Sequence, residues 1–231
     1  LKTVFRHYCP GRSPRLLEPA CGTGRLLVPL SRDGFNCTGF DLNAHALDYL
    51  KQRLARNRMK ANIFNADMCD FPVRPASFDA AFCTVDTFRH LLSEKEAEQH
   101  LLNVAKALKP GGIYVLGLHL LSDSGVSDRL TRWIAKRGRL TVKTSINMLE
   151  MNARKRQETL EVTVNAVTSK QKQTWKSVYP LRTYSLAQFQ RLLNKTGAFQ
   201  ILAAFDEYYD FNQPAMLDEK LDYAVMLLGK T

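Results

Sequence analysis

A short segment near the start of the chain combines an acidic residue with a tight glycine turn. Its sequence is Glu18-Pro19-Ala20-Cys21-Gly22-Thr23-Gly24, between an apolar strand-like stretch and a helix-like one. The two glycines allow the backbone to turn tightly and bring its amide groups against a ligand. A neighbouring carboxylate would repel a pyrophosphate, whereas it would attract a cationic amino-acid tail. Glu18 therefore favours a ligand with such a tail over a dinucleotide.

A second carboxylate follows at a spacing typical of nucleotide-binding sheets. Residues 36–41 are predicted to form a short strand that ends in Asp41, about 20 residues beyond the glycine turn. One crossover helix returns the chain beside the first strand over that distance, so we expect the Asp41 carboxylate beside a ribose, accepting from its two hydroxyls. An N-cap for the next helix is the alternative role, and Asn43 suits that role better. With Glu18, the pattern makes S-adenosylmethionine the natural candidate ligand.

These residues resemble the first motif of the class I S-adenosylmethionine-dependent methyltransferases, which is acidic-x-Gly-x-Gly-x-Gly. Glu18, Gly22 and Gly24 match it, and Ala20 stands where the first glycine usually does. We expect Ala20 to have a negative φ and the loop to be slightly wider, with the site retained. Phe-Asp at 78–79 and Lys-Pro-Gly-Gly at 109–112 are further sequence features typical of this family. Because a glycine turn alone is weak evidence, the order of all these features favours a methyltransferase over a dehydrogenase or a non-catalytic Rossmann-like domain.

The resemblance implies a cofactor site at the carboxyl ends of the first four strands. In it, Asp67 accepts from the adenine amino group, the Met68 amide donates to a ring nitrogen, and the Leu42 and Met68 side chains lie against the ring faces. Ordinary core packing is the alternative for Met68. The expected cofactor-binding residues are Glu18, Ala20, Cys21, Gly22, Gly24, Arg25, Asp41, Leu42, Asn43, Asp67, Met68, Cys83 and Thr84.

Candidate catalytic side chains come from loops at the same edge, where open α/β sheets bind ligands. The loop 84–90 is the best placed, and we expect His90 or Asp86 to act as a base or to orient the acceptor. Packing beside the next helix is an equal alternative for His90. His119, at the end of the fifth strand, is the second candidate. Further candidates, for a substrate anion or an amine, are Arg182, Tyr184 and Tyr208, with sheet-edge packing as the alternative for the tyrosines.

The elements that must position these residues alternate strand with helix. The predicted fold class is α/β: a Rossmann-like doubly wound seven-stranded sheet, mostly parallel with the family's antiparallel last strand, plus an antiparallel β insert. Helices are predicted to begin after Ser93, with a capping box, and after Ser185. The later strands are predicted at 61–65, 77–83, 113–119, 199–208 and 221–228.

Residues 121–183 depart from that alternation. Apolar residues alternate with polar ones in three runs, at 140–148, 160–164 and 175–181, which predicts an antiparallel meander. A three-stranded sheet with one apolar face must pack on something to be stable in water. By resemblance to small-molecule methyltransferases, we expect the insert to be a lid or dimer surface within one methyltransferase domain, 1–231, and a homodimer through it is left open.

The insert also holds most of the excess positive charge. Between residues 121 and 183 there are 13 Lys or Arg against 5 Asp or Glu, a surplus of 8 out of the net +11. A positive field over the active-site mouth would concentrate anionic substrates, whereas Lys and Arg in hairpin turns can also be simple solvated edge protection. RNA stays as an alternative because Trp133, Trp175 and Tyr179 could stack on bases. The expected function is methyl transfer by in-line displacement to N or O of a small anionic or zwitterionic metabolite; the alternatives are an RNA methyltransferase and a non-catalytic S-adenosylmethionine-binding domain.

Length and composition limit the remaining possibilities. The 231 residues, 45% of them hydrophobic, suffice for one α/β core with an elaboration. No apolar run is long enough for a membrane span and no signal-peptide pattern is present, so a cytoplasmic protein is expected. The five cysteines are odd in number without paired spacing, which predicts reduced thiols, and the scattered histidines imply no metal. The first residue is leucine, which leaves a missing natural N-terminus open.

Overall fold

The computed structural model describes residues 1–122 and 130–231, and the part of the predicted insert at 123–129 lies outside the described residues. Within the described ranges, no helix has both the length and the apolar character needed to cross a membrane. The α-helices are α1 (Lys2–Tyr8), α2 (Leu27–Arg32), α3 (Ala44–Arg56), α4 (Glu94–Ala107) and α5 (Leu186–Thr196), with a 3₁₀ helix at Thr87–His90. The strands are β1 (Arg15–Pro19), β2 (Asn36–Asp41), β3 (Asn62–Asn65), β4 (Phe78–Cys83), β5 (Leu108–His119), β6 (Thr131–Arg137), β7 (Leu140–Asn152), β8 (Gln157–Val167), β9 (Lys172–Arg182), β10 (Phe199–Phe205) and β11 (Tyr223–Lys230).

Seven strands form one sheet in the order β3-β2-β1-β4-β5-β11-β10. Strands β1 to β5 pair in parallel, while β11 lies antiparallel to both β5 and β10. This confirms the predicted Rossmann-like sheet with an antiparallel last strand. The order reverses direction at β1 and β4, where the crossover connections change faces, and ligands bind open α/β sheets at that point.

Helices cover both faces of this sheet and create two apolar cores. One core packs Leu101 of α4 and Phe189 of α5 against the sheet, and the other packs Phe5 of α1 and Leu50 of α3 against the opposite face. Because both faces are covered, the central strands are apolar along most of their length. The sheet is therefore a rigid base for the loops at its carboxyl edge.

The predicted helix caps are confirmed. The Asn43 side chain accepts from the Ala46 amide at the start of α3. Ser93 and Ser185 each form a capping box, with Glu96 and Gln188 respectively. These caps satisfy amide groups that a helix start otherwise leaves without partners.

The largest differences from the predicted strand bounds are in β5 and β10. Strand β5 already begins at Leu108, because the Lys-Pro-Gly-Gly segment continues the strand instead of preceding it. Strand β10 ends at Phe205, since the Asp206 side chain accepts from the Tyr208 amide and turns the chain out of the sheet. Tyr208 therefore lies in the loop after β10, not at the end of that strand.

The described part of the insert is an antiparallel sheet of four strands, in the order β6-β7-β8-β9, and not of three. Strand β6 was missed because its sequence does not alternate apolar with polar residues, and every residue in it is exposed. Trp133, Thr144, Val164 and Trp175 are aligned across the four strands. Since side chains alternate between faces along a strand, these four lie on one face of the insert sheet.

Candidate functional site

The glycine turn after β1 closes onto the neighbouring strand. The Cys21 amide donates to the Phe40 carbonyl at 2.9 Å, and Gly22 and Gly24 have φ of 52° and 72°. The expected negative φ of Ala20 is wrong: its φ is 52°, because the chain must reverse direction to bring Cys21 to β2. An alanine in the left-handed region is strained, so this chain keeps the turn at an energetic cost that a glycine would avoid.

Asp41 lies at the end of β2 and braces this turn. Its Oδ2 accepts from the Gly22 amide at 2.8 Å, and its Oδ1 accepts from the Asn43 amide at 2.8 Å. Each carboxylate oxygen has a second lone pair, so the group can still accept from hydroxyls of a ligand. The structure therefore brings the two predicted cofactor acids, Glu18 and Asp41, to adjacent strand ends.

A cavity of about 250 Å³ opens beside the turn. Glu18 is in its wall with only 8% of its surface exposed, and its Oε2 atom is buried without a hydrogen-bond partner in the described part of the chain. Burial raises the pKa of Glu18 to about 8, although Arg25 and the Leu27 amide act against this shift. The predicted cofactor residues that line the cavity are Glu18, Ala20, Cys21, Arg25, Cys83 and Thr84.

An unpaired buried carboxylate oxygen is costly and indicates a missing partner. A ligand ammonium group would supply both a hydrogen bond and a positive charge at that atom. The residues of the turn therefore fit a nucleoside with a charged amino-acid tail. The crevice beside the turn is open and is not filled by the side chains that the structure describes.

The expected adenine-facing residues lie farther along the same edge. Leu42 directly follows Asp41 and is 66% exposed, which is unusual for a leucine and leaves its side chain open to an apolar ring. Asp67 is exposed and its carboxylate accepts from the Cys69 amide, whereas Met68 is buried. His100, buried behind them, bonds the Met68 carbonyl at 2.9 Å, and burial lowers the pKa of His100 to about 4. His100 thus holds the Met68 backbone as a neutral ring.

The cysteines near the turn are unreactive. The structure holds all five cysteines as free thiols. Burial raises the pKa of the Cys83 thiol to about 12 and also raises that of Cys21. A thiol held protonated is a weak nucleophile, so Cys21 and Cys83 contribute shape to the site.

A second, larger cavity of about 460 Å³ lies on the other side of the segment that follows β4. Thr84, Val85 and Thr87 line the first cavity, and Asp86 lines the second, so this segment separates the two spaces. Val85 and Asp86 both have φ of 63°. Each of these two non-glycine residues costs about 1–3 kcal/mol of conformational free energy in the left-handed region. Backbone strain of this kind is concentrated at functional sites.

Asp86 and His119 form a hydrogen-bonded pair at the wall of the larger cavity. The Asp86 Oδ2 atom bonds the His119 Nδ1 atom at 2.5 Å, and Asp86 Oδ1 accepts from the His119 amide at 2.8 Å. Burial alone would raise the pKa of Asp86, but the bond from His119 and the Arg89 charge lower it to about 2. Asp86 is therefore ionised at all ordinary pH values, and it orients the His119 ring with Nε2 left without a partner in the described part of the chain.

The charges that line the larger cavity are mostly negative. Arg89 and Lys220 are its basic residues, and the Arg89 guanidinium is already paired with acids. The surplus cations of the insert are not among the described residues of this lining, so the cationic mouth expected from the sequence is not found at this cavity. Its acidic residues are Asp86, Glu158, Asp206, Glu207 and Asp222.

The remaining predicted catalytic residues are placed differently. Tyr208 is 79% exposed and lines the larger cavity, whereas His90 does not line it and lies against the Tyr179 ring at 5.2 Å. Tyr184 is buried with Arg182 over its ring at 5.6 Å. The Arg182 side chain donates to the Leu92 carbonyl and pairs with Glu94, so both residues belong to the junction between the insert and the helical layer.

Three functional candidates were missed by the sequence reasoning. Arg89 stands in the same loop as Asp86 but was passed over for its neighbours. Glu158 lies on the same face of β8 as Leu160 and Val162. A charged residue at an inward-facing position was the sequence signal that could have identified it. Tyr223 could not have been found, because the bond from the Val85 amide to its hydroxyl joins residues 138 positions apart.

The comparisons with known proteins agree with this geometry. Residues 16–112 match the family described as a methyltransferase domain. Glycine N-methyltransferase of Oryctolagus cuniculus is 31% identical over 170 residues, which cover 65% of this chain and 56% of that protein. The tRNA N(3)-cytidine methyltransferase METTL6 of Mus musculus is 34% identical over 127 residues, 51% of this chain and 42% of that protein. The chain thus spans less than half the length of several curated relatives that it matches.

Similarity to solved structures extends over nearly the whole chain. An S-adenosylmethionine-dependent methyltransferase from Clostridium acetobutylicum has a TM-score of 0.78 at 16% identity, covering 99% of this chain and 88% of that one. The sugar N-methyltransferase KedS8 from Streptoalloteichus has a TM-score of 0.74 at 19% identity, covering 99% and 84%. Residues 16–112 thus match a methyltransferase domain, and the chain shares its fold with S-adenosylmethionine-dependent methyltransferases. S-adenosylmethionine is the cofactor of that class.

Proposed function

We propose that this chain transfers a methyl group from S-adenosylmethionine to an amine nitrogen of a small molecule. The observation that carries the proposal is the pair of adjoining cavities, one with a buried carboxylate oxygen that has no partner among the described residues and the other lined by acids around an Asp86–His119 pair. The described residues, with the insert as one wall of the larger cavity, act in this proposal as a single methyltransferase domain. When bound, the cofactor supplies an activated methyl group.

The smaller cavity is assigned to the cofactor. Glu18 binds the ammonium group of the amino-acid tail, and Asp41 accepts from the ribose hydroxyls while it holds the Gly22 amide. Leu42 and Met68 border the base. A rigid strand edge would hold the cofactor in a fixed position beside the neighbouring cavity, and such positioning contributes about 7–11 kcal/mol in well-oriented reactions.

The larger cavity is assigned to the acceptor. Five acidic residues against two basic ones in the described lining favour a cationic substrate over an anionic one. This replaces the anionic class that the charge of the insert suggested, because those charges are not among the described residues that line the cavity. The same fold occurs in KedS8, a sugar N-methyltransferase, which supports an amine acceptor here.

An amine that arrives as an ammonium ion must lose a proton before its nitrogen can attack. His119 is the group assigned to take that proton, at Nε2, since Nδ1 is occupied by Asp86. Asp86 stays ionised and stabilises the charged ring that results. Positioned proton transfer of this kind contributes about 10²–10⁴-fold in rate.

The test is a methyl-transfer assay with matched acceptors. Glucosamine, glucose and glucose 6-phosphate share one ring and differ in acceptor charge; further primary and secondary amines extend the panel, each with its hydroxyl and phosphate counterpart. We expect S-adenosylhomocysteine to form with amine members and not with phosphate members. Product from the phosphate or hydroxyl members alone would contradict the proposal.

Two variants separate the two histidines among the sequence candidates for the base. His119→Asn is expected to lower kcat about 100-fold or more without changing the affinity for S-adenosylhomocysteine. The matched control is His90→Asn, which changes the same residue type in contact with Tyr179, outside the cavity lining, and should leave kcat unchanged. The reverse result would return the role of base to His90.

RNA is the less favoured substrate because an acid-lined cavity repels a polyanion. Binding of single-stranded RNA at low salt, lost as salt rises, would support RNA as the substrate.

We also propose that the apolar face of the insert sheet pairs with a second copy, since Trp133 and Trp175 lie on it about half-exposed, at 46% and 49%. Light scattering of Trp133→Lys against the native chain tests this proposal: a dimer in both, or in neither, contradicts it.

A further inference from the structure

A buried arginine joins the insert to the proposed catalytic pair. Arg89 lies in the 3₁₀ helix after β4 with 2% of its surface exposed. Its guanidinium makes three contacts: Nε donates to the Arg182 carbonyl at 2.8 Å, Nη2 bonds Glu158 at 2.5 Å, and Nη1 bonds Asp86 at 3.1 Å. All three directions of the planar fork are therefore in use.

These contacts reach two different parts of the molecule. Glu158 is near the start of β8 and Arg182 ends β9, so both belong to the base of the insert sheet. Asp86 belongs to the core edge and bonds His119 on β5. One connected series of hydrogen bonds thus runs from the insert through Arg89 to the His119 ring.

The insert forms a wall of the same cavity. Thr131, Ile146, Glu158 and Leu160 contribute to its lining. A wall attached only by apolar contacts could settle at slightly different distances from the base, whereas a buried bidentate or tridentate guanidinium fixes one geometry. Lysine cannot reproduce this arrangement because its ammonium lacks the fork.

We propose that Arg89 is a positioning residue that fixes the position of the insert wall relative to the Asp86–His119 pair. The proposal rests on the proposed function for the role of His119, but not for the geometry. Arg89 does not act on the substrate; it holds Asp86, and Asp86 holds the ring. Loss of Arg89 leaves Asp86 and Glu158 as buried charges without their common partner, which also destabilises the fold.

The experiment reads the ring directly and needs no acceptor. Nitrogen-15 NMR of the histidine rings in the full chain reports which ring nitrogen carries the proton. In the native chain we expect the His119 signals, assigned by their loss in His119→Asn, to show the Nδ1–H form, because Asp86 accepts there. In Arg89→Met we expect the Nε2–H form to become a major species, with Arg89→Lys intermediate.

The matched control is Arg182→Met. Arg182 is also a buried arginine at this junction, but its side chain contacts Leu92 and Glu94 and not Asp86. It should lower Tm while the His119 signals stay native. If Arg89→Met does not fold, Glu158→Gln and Arg89→Lys are measured instead, since each weakens the same series of bonds and keeps more of the packing.

Two results would overturn the proposal. One is a folded Arg89→Met, or the substitute variants, with native His119 signals; the other is an equal change in Arg182→Met, which would indicate only a loosened junction. Neither depends on methyl transfer. Failure of the proposed function is seen separately, as full activity of His119→Asn or as no product from any amine.

Discussion

The two sheets of this protein hold their ligand-facing groups in different ways. At the edge of the seven-stranded sheet, the cavity proposed for the cofactor is shaped by backbone: positive φ angles at Ala20, Gly22 and Gly24 and amide contacts to β2. At the junction with the insert sheet, the cavity proposed for the acceptor is shaped by charged side chains, chiefly Arg89 and its partners. Backbone geometry suits a ligand that every member of a class shares, whereas side chains can change with the acceptor.

The two sheets also differ in how deeply their strands are buried. The central strands of the seven-stranded sheet are apolar and covered on both faces, whereas β6 of the insert is exposed throughout. Substitutions in the cofactor turn should therefore affect stability and cofactor binding together. Substitutions in the turns of the insert should affect neither strongly.

The largest effect is expected from Gly24→Ala. A Cβ atom at this position would overlap the Leu50 side chain, and the φ of 72° is unfavourable for alanine. We expect a loss of about 3 kcal/mol in the free energy of unfolding and weaker binding of S-adenosylhomocysteine. Urea denaturation and calorimetry measure the two effects.

Gly138→Ala is the control from the insert. Gly138 has a similar φ of 57° but open space around it. We expect a loss of about 1 kcal/mol with cofactor-product affinity unchanged. Equal losses in both variants would mean that the cofactor turn is no more constrained than a surface hairpin.

The second expected effect is a loss of stability at low pH. The pKa of Asp86 is lowered from 3.8 to about 2, so its contribution to stability is complete above pH 4 and is lost as pH falls through 2. That contribution is about 2 kcal/mol. The difference in unfolding free energy between the native chain and Asp86→Asn should shrink by this amount from pH 5 to pH 2. Parallel pH curves for the two proteins would refute the ionic description of the junction.

The smallest effect is a gain. Ala20→Gly removes a left-handed alanine and should raise the unfolding free energy by about 1 kcal/mol. Ala76→Gly, with the same φ of 52° on an exposed turn far from the cofactor cavity, should give a similar gain. Only the change at Ala20 is expected to alter the affinity for S-adenosylhomocysteine, and thermal unfolding with and without that product separates the two.

The sequence was sufficient to place residues around the smaller cavity and insufficient for the contacts around the larger one. Glu18, the glycine turn and Asp41 are close in sequence and follow a spacing set by one crossover helix, so they could be placed in advance. The pairing of Asp86 with His119, and of Arg89 with Glu158, joins residues 33 and 69 positions apart. The first contact depends on how the loop after β4 folds beside the end of β5, and the second depends on how the insert docks; local sequence patterns determine neither.

The charge of the insert also shows what the sequence alone does not determine. The count of basic residues in the insert was correct, but a count does not say which face they occupy. Alternation along the strands put the apolar residues and Glu158 toward the cavity, and the cationic surplus lies elsewhere among the described residues. The cytoplasmic location and the pairing of two copies stay predictions.

The central claim is that the buried Glu18 carboxylate receives the ammonium group of the cofactor. Because the pKa of Glu18 is raised to about 8, this side chain is mostly protonated at pH 7 before binding and must release its proton to an incoming cation. Calorimetric titration of S-adenosylhomocysteine in buffers of different ionisation enthalpy counts that proton. We predict release of close to one proton by the native chain and none by Glu18→Gln, with weaker binding by the variant. Binding without proton release by the native chain, or identical titrations for both proteins, would contradict the account.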